Sequence, residues 1–371
     1  MQNLYNLVLG IAGICALAFL GVLIFGQGIA AGGPFLVGFL ICLAIGGLGT
    51  PMLRQLAFTV WIFAGVAMAM YYPRYFQTVG DFELKTLIVP LIQVIMFGMG
   101  TAMSLKDFEG VVKMPKGVVV GLVAQLTIMP LIGASIALLM NFPAEVAAGI
   151  ILIGSAPSGV ASNVMAYIAK ANLALSITLT AVATLLAPLT TPFLMKILAG
   201  QLVPIDFVAM MIGIIKMVIV PIVLGLLFNR LVAGRAPWLD KAMPLLSMIA
   251  IAVVITIITA TGRDALLTIG PLLFLAAIIH NASGYLIGYW GCKMVGLDEQ
   301  SCRTISIEVG MQNGGLASGI ALQMGKVATV GLAPAIFGPW MNITGSALAN
   351  WWRNRAPESE TAPEQPAEMT A

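Results

Sequence analysis

Charge is scarce in this chain: only 9% of its 371 residues are Asp, Glu, Lys or Arg, against about 25% in soluble domains. With 60% hydrophobic residues and a mean hydropathy of +1.02, the chain has too little polar surface to cover a soluble globule, which excludes a water-soluble fold. A single histidine, His280, cannot found a metal cluster. The four cysteines, Cys15, Cys42, Cys292 and Cys302, show no paired spacing, which argues against a disulfide framework and a thiolate metal site. There is no basic run with interleaved aromatics, so nucleic acid is not an expected partner. No apolar segment carries an Asp in its interior, a His pair or a nucleophile–base combination, so nothing supports an enzyme. The net charge of +3 says little about partners, because the charges fall mostly in loops.

Long apolar runs are abundant. Twelve hydrophobic segments are expected, at roughly 4–26, 34–52, 56–73, 84–104, 116–140, 145–169, 172–199, 205–229, 241–261, 265–292, 299–325 and 327–352. The first lacks a basic start and a small-residue cleavage site and is read as a retained span, not a signal peptide. With the N-terminus cytoplasmic, the outside loops hold only Arg74, Lys85, Lys196, Arg263 and Lys326. Lys216 lies inside a span, and the other twelve of the 18 Lys and Arg residues, Arg303 among them, fall in inside loops. That bias predicts a membrane protein with both termini cytoplasmic. The tail 356–371, rich in Pro, Glu, Thr and Ala, reads as disordered.

Two segments are interrupted by small and polar residues. The first interruption is Gly154-Ser155-Ala156-Pro157-Ser158-Gly159-Val160-Ala161-Ser162-Asn163. The second is Glu308-Val309-Gly310-Met311-Gln312-Asn313-Gly314-Gly315-Leu316-Ala317-Ser318-Gly319. Lipid cannot hydrogen-bond freed backbone, so such breaks survive only where they line a cavity or lie within protein. With the first two segments (1–54) set aside, ten remain, and the interrupted one is fourth in each set of five. An odd number of spans per set inverts the second set, so two inverted five-helix repeats are expected. Paired breaks in corresponding positions point to the binding site of a secondary transporter.

Glu308 is the sharpest candidate, since a carboxylate at membrane depth costs a few kcal/mol or more without a partner. The alternative is that it faces cytoplasmic water near a segment end. Gln312, Asn313, Ser162 and Asn163 add oxygens, a donor type suited to hard cations. Ser176 and Thr180 share one helix face, though either could bond back to its own helix. Gln125 is an amide in an apolar segment and needs a partner. Lys216 reads as snorkelling or paired, and His280-Asn281 near Gly284-Tyr285 as polarity used in helix packing. The Asn-x-Ser/Thr triplets at Asn281 and Asn342 fall inside spans, which discounts glycosylation.

On Gly159-Val160-Ala161-Ser162-Asn163-Val164-Met165, Ser176, Thr180, Gln125, Glu308-Val309-Gly310-Met311-Gln312-Asn313 and His280-Asn281 with Gly284-Tyr285, the chain resembles the bile acid:sodium symporter family, as a bacterial homologue of the apical sodium-dependent bile acid transporter type. The resemblance spans about 55–355 and implies an all-α polytopic membrane protein whose two broken helices cross. It implies a core (about 116–199 and 265–352) and a panel (about 56–104 and 205–261), with 1–54 as two extra helices. It implies two sodium sites. One uses Ser162, Asn163, Ser176, Thr180 and Glu308; the other uses Gln125, Glu308, Gln312 and the backbone carbonyls of Val309 and Met311. Substrate contacts are implied at Gly159, Val160, Ala161 and Asn313, beside half-helix N-termini that favour an anion. Val160 stands where some relatives carry a hydroxyl, so one substrate contact is expected to be missing. The arsenite exporters that share the plan use a cysteine in the first break, where this chain has Ala156. The expected activity is sodium-coupled import of a small organic monocarboxylate such as a pantoate-like or keto acid, or of a bile acid. A proton-coupled or cation-exchanging antiporter and a non-transporting membrane sensor remain the alternatives.

Overall fold

The computed structural model describes residues 2–25, 29–232 and 237–355. The tail 356–371, read above as disordered, lies outside the described residues. The described residues are all-α apart from one small hairpin, Thr78–Val79 with Phe82–Glu83. The helices are α1 (Gln2–Ile24), α2 (Gly33–Gly46), α3 (Pro51–Tyr71), α4 (Ile88–Ala102), α5 (Pro115–Leu139), α6a (Ala144–Ser155), α6b (Val160–Ile168) and α7 (Leu173–Ala199). They continue with α8 (Phe207–Leu231), α9 (Pro237–Thr261), α10 (Arg263–Met294), α11a (Glu299–Gly310), α11b (Gly314–Gln323) and α12 (Leu332–Arg353). Seven of these are long and apolar enough to cross a membrane by length and composition alone.

Local chemistry explains where the helices begin. Asn172, Asp206, Asp298 and Asn313 are N-caps whose side-chain oxygens accept from backbone N–H groups three residues on, at 2.9–3.0 Å. Pro51 and Pro115 occupy first-turn positions, where no N–H is needed. Gly296 (φ +73°) and Gly325 (φ +68°) carry the chain out of α10 and α11b through the left-handed region.

Helices α3, α4, α8 and α9 pack chiefly on one another, and α5, α6, α7, α10, α11 and α12 form a second group. Helix α1 packs on α2, and α2 on α3. Glycine allows the closest approaches: a Cβ on Gly100 of α4 would lie 2.2 Å from the Ile222 carbonyl oxygen, so the backbones of α4 and α8 touch. Helix α8 carries a π-turn at Ile215–Ile219, where Gln93 Nε2 donates to the Lys216 carbonyl at 3.2 Å. Its freed backbone is thus answered from α4.

One loop assignment is corrected. Arg303, counted above among the inside-loop cations, lies within α11a and is 3% exposed. Its guanidinium donates to Glu299 (2.9 Å) and to the carbonyls of Ala169 (3.3 Å), Trp352 (3.4 Å) and Arg355 (3.0 Å). These carbonyls belong to chain leaving α6b and α12, where a cation is favoured by the helix dipole. Arg303 therefore ties helix ends together.

Candidate functional site at the helix crossover

The two breaks meet. The Gly159 N–H donates to the Met311 carbonyl (3.2 Å) and the Asn313 N–H to the Pro157 carbonyl (2.7 Å), so Ser158 and Gln312 pair as a short antiparallel bridge. One register shift carries Pro157, Ser158 and Gly159 onto Met311, Gln312 and Asn313, and turns each of the two hydrogen bonds into the other. The crossing is thus locally two-fold, as inverted repeats require. Each break satisfies polar backbone that lipid could not. At the crossing, α6a and α11a end with their carbonyl termini, which favour cations. There too α6b and α11b begin with their N–H termini, which favour anions.

Glu308 sits one turn or less before the second break and is 1% exposed, so the water-facing alternative does not hold. Four hydroxyls converge on its carboxylate: Ser158 on Oε2 at 2.5 Å, Ser162 on Oε1 at 2.6 Å, Ser176 on Oε1 at 2.6 Å and Thr180 on Oε2 at 2.9 Å. Asn163 Oδ1 lies 2.8 Å from Ser176 Oγ and 3.1 Å from Thr180 Oγ1. Each hydroxyl has a single proton to donate. Ser176 therefore cannot serve both Asn163 and Glu308, and neither can Thr180. Ser162 Oγ is likewise shared with the Gly159 carbonyl at 2.7 Å. The cluster thus holds more oxygen approaches than hydroxyl protons to fill them, around one buried carboxyl group. That donor set fits a hard cation.

All five residues expected at the first ion site are thus brought together, and Ser158 joins them. The sequence signal for Ser158 is its hydroxyl within the first break. Of the second set, Gln125 is 2% exposed and neither of its amide atoms has a hydrogen-bond partner among the described residues. Gln312 Oε1 is also buried and unpartnered, while its Nε2 donates to the Val309 carbonyl. Buried amide oxygens left unpaired cost about 1–3 kcal/mol each. A cation taking them would remove that cost.

A cleft of ≈ 120 Å³ opens on the other side of the crossing. Gly159, Val160, Ala161 and Asn313 all line it, together with Ile251, Val254 and Ile255 of α9 and Met341 and Asn342 of α12. Its walls therefore come from both helix groups. The N-cap of α6b is Gly159, which offers no side-chain cap; the Ser162 N–H turns back onto the Gly159 carbonyl at 3.0 Å, which leaves the N–H groups of Val160 and Ala161 as the first-turn donors for a ligand. At α11b the Asn313 Oδ1 is used on the Leu316 N–H at 3.0 Å, leaving its amide NH₂ as the group able to donate. Asn342 was noted in the sequence only as a discounted glycosylation triplet. The much larger cavity, ≈ 1010 Å³, lies between α3 and α9. Its one hydroxyl, on Thr256, bonds back to the Ala252 carbonyl at 2.7 Å, and the Trp61 indole is the other polar group in a lining that is otherwise apolar side chains, so that cavity offers little to orient a charged ligand. Lys216 is exposed on α8 and does not enter either site.

The chain is similar to known proteins over most of its length. Residues 89–269 match the model of the Sodium Bile acid symporter family. The uncharacterized sodium-dependent transporter YocS of Bacillus subtilis is 36% identical over 304 residues, which is 82% of this chain and 92% of that protein. A chloroplastic protein of Arabidopsis thaliana named a probable sodium/metabolite cotransporter, BASS1, is 33% identical over 302 residues, 81% of this chain and 74% of its own. One of Oryza sativa subsp. japonica with the same description, BASS2, is 33% identical over 298 residues, 80% and 70% of the two chains. These relatives are named as transporters, and at this identity and coverage the chain belongs to the sodium bile acid symporter family.

Proposed function

We propose that the protein is a sodium-coupled symporter that imports a small organic monocarboxylate across the bacterial inner membrane, with both termini cytoplasmic. The observation that carries this reading is the buried Glu308 carboxylate within a ring of oxygens short of protons, set beside a cleft that receives a helix N-terminus. The names of the relatives support sodium as the coupling ion. Two ions are proposed. One is held by Ser162, Asn163, Ser176, Thr180 and Glu308, with Ser158 added. The other is held by Gln125, Glu308, Gln312 and the carbonyls of Val309 and Met311. Sodium at either place screens Glu308 and pins the two breaks together, which completes the cleft.

The anion is placed at Gly159, Val160, Ala161 and Asn313. A cleft of ≈ 120 Å³ is small beside the about 300–1,000 Å³ of sites for drug-sized ligands, which favours a pantoate-like or keto acid over a bile acid. We further propose that α3, α4, α8 and α9 act as a panel against which the other helix group, the core, moves in alternating access. The cleft lies on that boundary, so its opening and closing follow from the movement.

Uptake of candidate carboxylates into proteoliposomes, driven by an inward sodium gradient and compared with choline, tests this reading. Sodium-dependent accumulation of a small monocarboxylate is expected. Accumulation driven equally by choline with a proton gradient would overturn it and favour proton coupling. One variant separates the anion from the ion sites. Val160 is 37% exposed in the cleft wall, and Val160→Thr keeps the β-branch while adding a hydroxyl. It is expected to change the carboxylate KM by about fivefold, the worth of one added hydrogen bond (~1 kcal/mol), and to leave the half-saturating sodium concentration unchanged.

A further inference from the structure

The end of a broken helix presents carbonyls with no helical partner. Beyond Glu308 three follow in order: Val309, Gly310 and Met311. The Val309 carbonyl accepts from Gln312, and the Met311 carbonyl from the Gly159 N–H at 3.2 Å. The middle one is answered from another element. Asn281 Nδ2, on α10, donates to the Gly310 carbonyl at 2.8 Å. The other end of the same amide accepts from Thr344 Oγ1, on α12, at 2.6 Å. Asn281 is 1% exposed, so water does not compete for either bond. The Thr344 hydroxyl has the carbonyls of Trp340 (3.0 Å) and Met341 (3.3 Å) within reach, but its shortest contact is to Asn281. Gly284, one turn along α10, brings the break close: a Cβ there would lie 3.0 Å from Gly310 Cα.

An apolar side chain could fill this space between helices. The amide instead uses both of its ends, one on the break and one on the helix that carries Met341 and Asn342 into the cleft. Because peptide units are planar, holding the Gly310 carbonyl toward α10 restricts how its two neighbours can turn.

We infer that Asn281 and Thr344 form a relay that orients the ion-binding carbonyls of the second break and links them to the α12 wall of the anion cleft. The inference rests on the reading of Val309 and Met311 as sodium ligands. Asn281 is a positioning residue, since it touches the break and not the ion. Sodium that pulls on the Val309 and Met311 carbonyls turns the Gly310 peptide. The relay passes that turn to α12, next to the anion.

The test uses the purified full-length chain, unfolded thermally while sodium chloride is titrated against choline chloride. Thr344→Val removes the donor with little change of shape, and Asn281→Leu removes both bonds. Ser306→Ala is the comparison: its hydroxyl, on α11a, donates to the Tyr285 carbonyl of α10 at 2.7 Å and does not touch the break. Thr344→Val and Asn281→Leu are expected to raise the half-stabilising sodium concentration by about tenfold, as a lost buried hydrogen bond does. Ser306→Ala is expected to lower the melting temperature in choline and leave the sodium midpoint where it was. If Asn281→Leu does not fold, Thr344→Val decides the matter. A wild type stabilised by sodium, with Thr344→Val keeping the wild-type midpoint, overturns the relay alone. A wild type that sodium stabilises no more than choline overturns the sodium reading on which the relay rests.

Discussion

Glu308→Gln is expected to abolish sodium-dependent uptake and to raise the half-saturating sodium concentration by at least about 100-fold. The substitution keeps the size and one acceptor of the side chain but removes the only charge among the oxygens of Ser158, Ser162, Ser176, Thr180 and Asn163. A bound cation would then be desolvated without a counter-charge. Breaking a buried ion pair by removing one partner costs about 3–5 kcal/mol, which is about 100-fold or more in affinity. The amide also brings two N–H donors to a place where a cation needs acceptors. The effect on the unliganded protein is opposite in sign. Without sodium, the wild type holds an uncompensated carboxylate at 1% exposure, and the neutral variant does not. In choline, Glu308→Gln should therefore melt no lower than the wild type. Melting curves in choline and in sodium, with uptake measured on the same preparations, check both halves. A variant still stabilised by sodium within a few-fold of the wild-type midpoint would remove Glu308 from the ion sites.

Gly310→Ala is expected to destabilise the protein strongly. A Cβ there would lie 2.3 Å from both Cδ1 and Cε1 of Tyr285. The ring has little freedom to give way. Tyr285 is buried, and its hydroxyl reaches the Met341 carbonyl at 3.3 Å and Thr344 at 3.4 Å. Helices α10 and α11a are equally constrained one turn away, where a Cβ on Gly288 would sit 3.2 Å from Ser306 Cα. Overpacking of this kind costs about 1–3 kcal/mol. The anchored ring and the neighbouring relay place this case at the upper end. The double variant Gly310→Ala with Tyr285→Leu is expected to recover part of the loss, and a double-mutant cycle on melting temperature measures how much. If Gly310→Ala were as stable as the wild type, the close approach of α10 to the second break would be wrong.

Much of this was legible in the residues because membrane chemistry is strict. The twelve apolar runs could fold only as helical segments, and two runs rich in Gly, Ser, Pro and Asn could survive at depth only as breaks within protein. The hydroxyls at Ser176 and Thr180 were readable as one helix face, yet nothing local shows that this face meets Ser162 and Glu308, which come from other spans. Ser158 was passed over because a serine beside a proline in a break reads equally well as a turn residue. Arg303 was misassigned because a cation near a span end ordinarily lies in a loop. Its place inside α11a depends on the ends of α6b and α12, which only the tertiary fold gathers. Asn281 was read as packing polarity for the same reason: its partners, Gly310 and Thr344, lie on two other helices.

The crossover is two-fold in its backbone but not in its charge. Gly154 occupies the register position that corresponds to Glu308, so the crossing carries one carboxylate and not two. With two sodium ions and one monocarboxylate bound as proposed, the loaded core is electrically neutral and can move through a low-dielectric boundary at little cost. With sodium alone it carries one excess positive charge, which raises the low-dielectric cost of the same movement. The empty crossing holds Glu308 with no cation beside it. If Glu308 returns ionised, an inside-negative membrane potential, worth about 2.3 kcal/mol per charge for each 100 mV, acts on the return step and favours the outward-facing carrier.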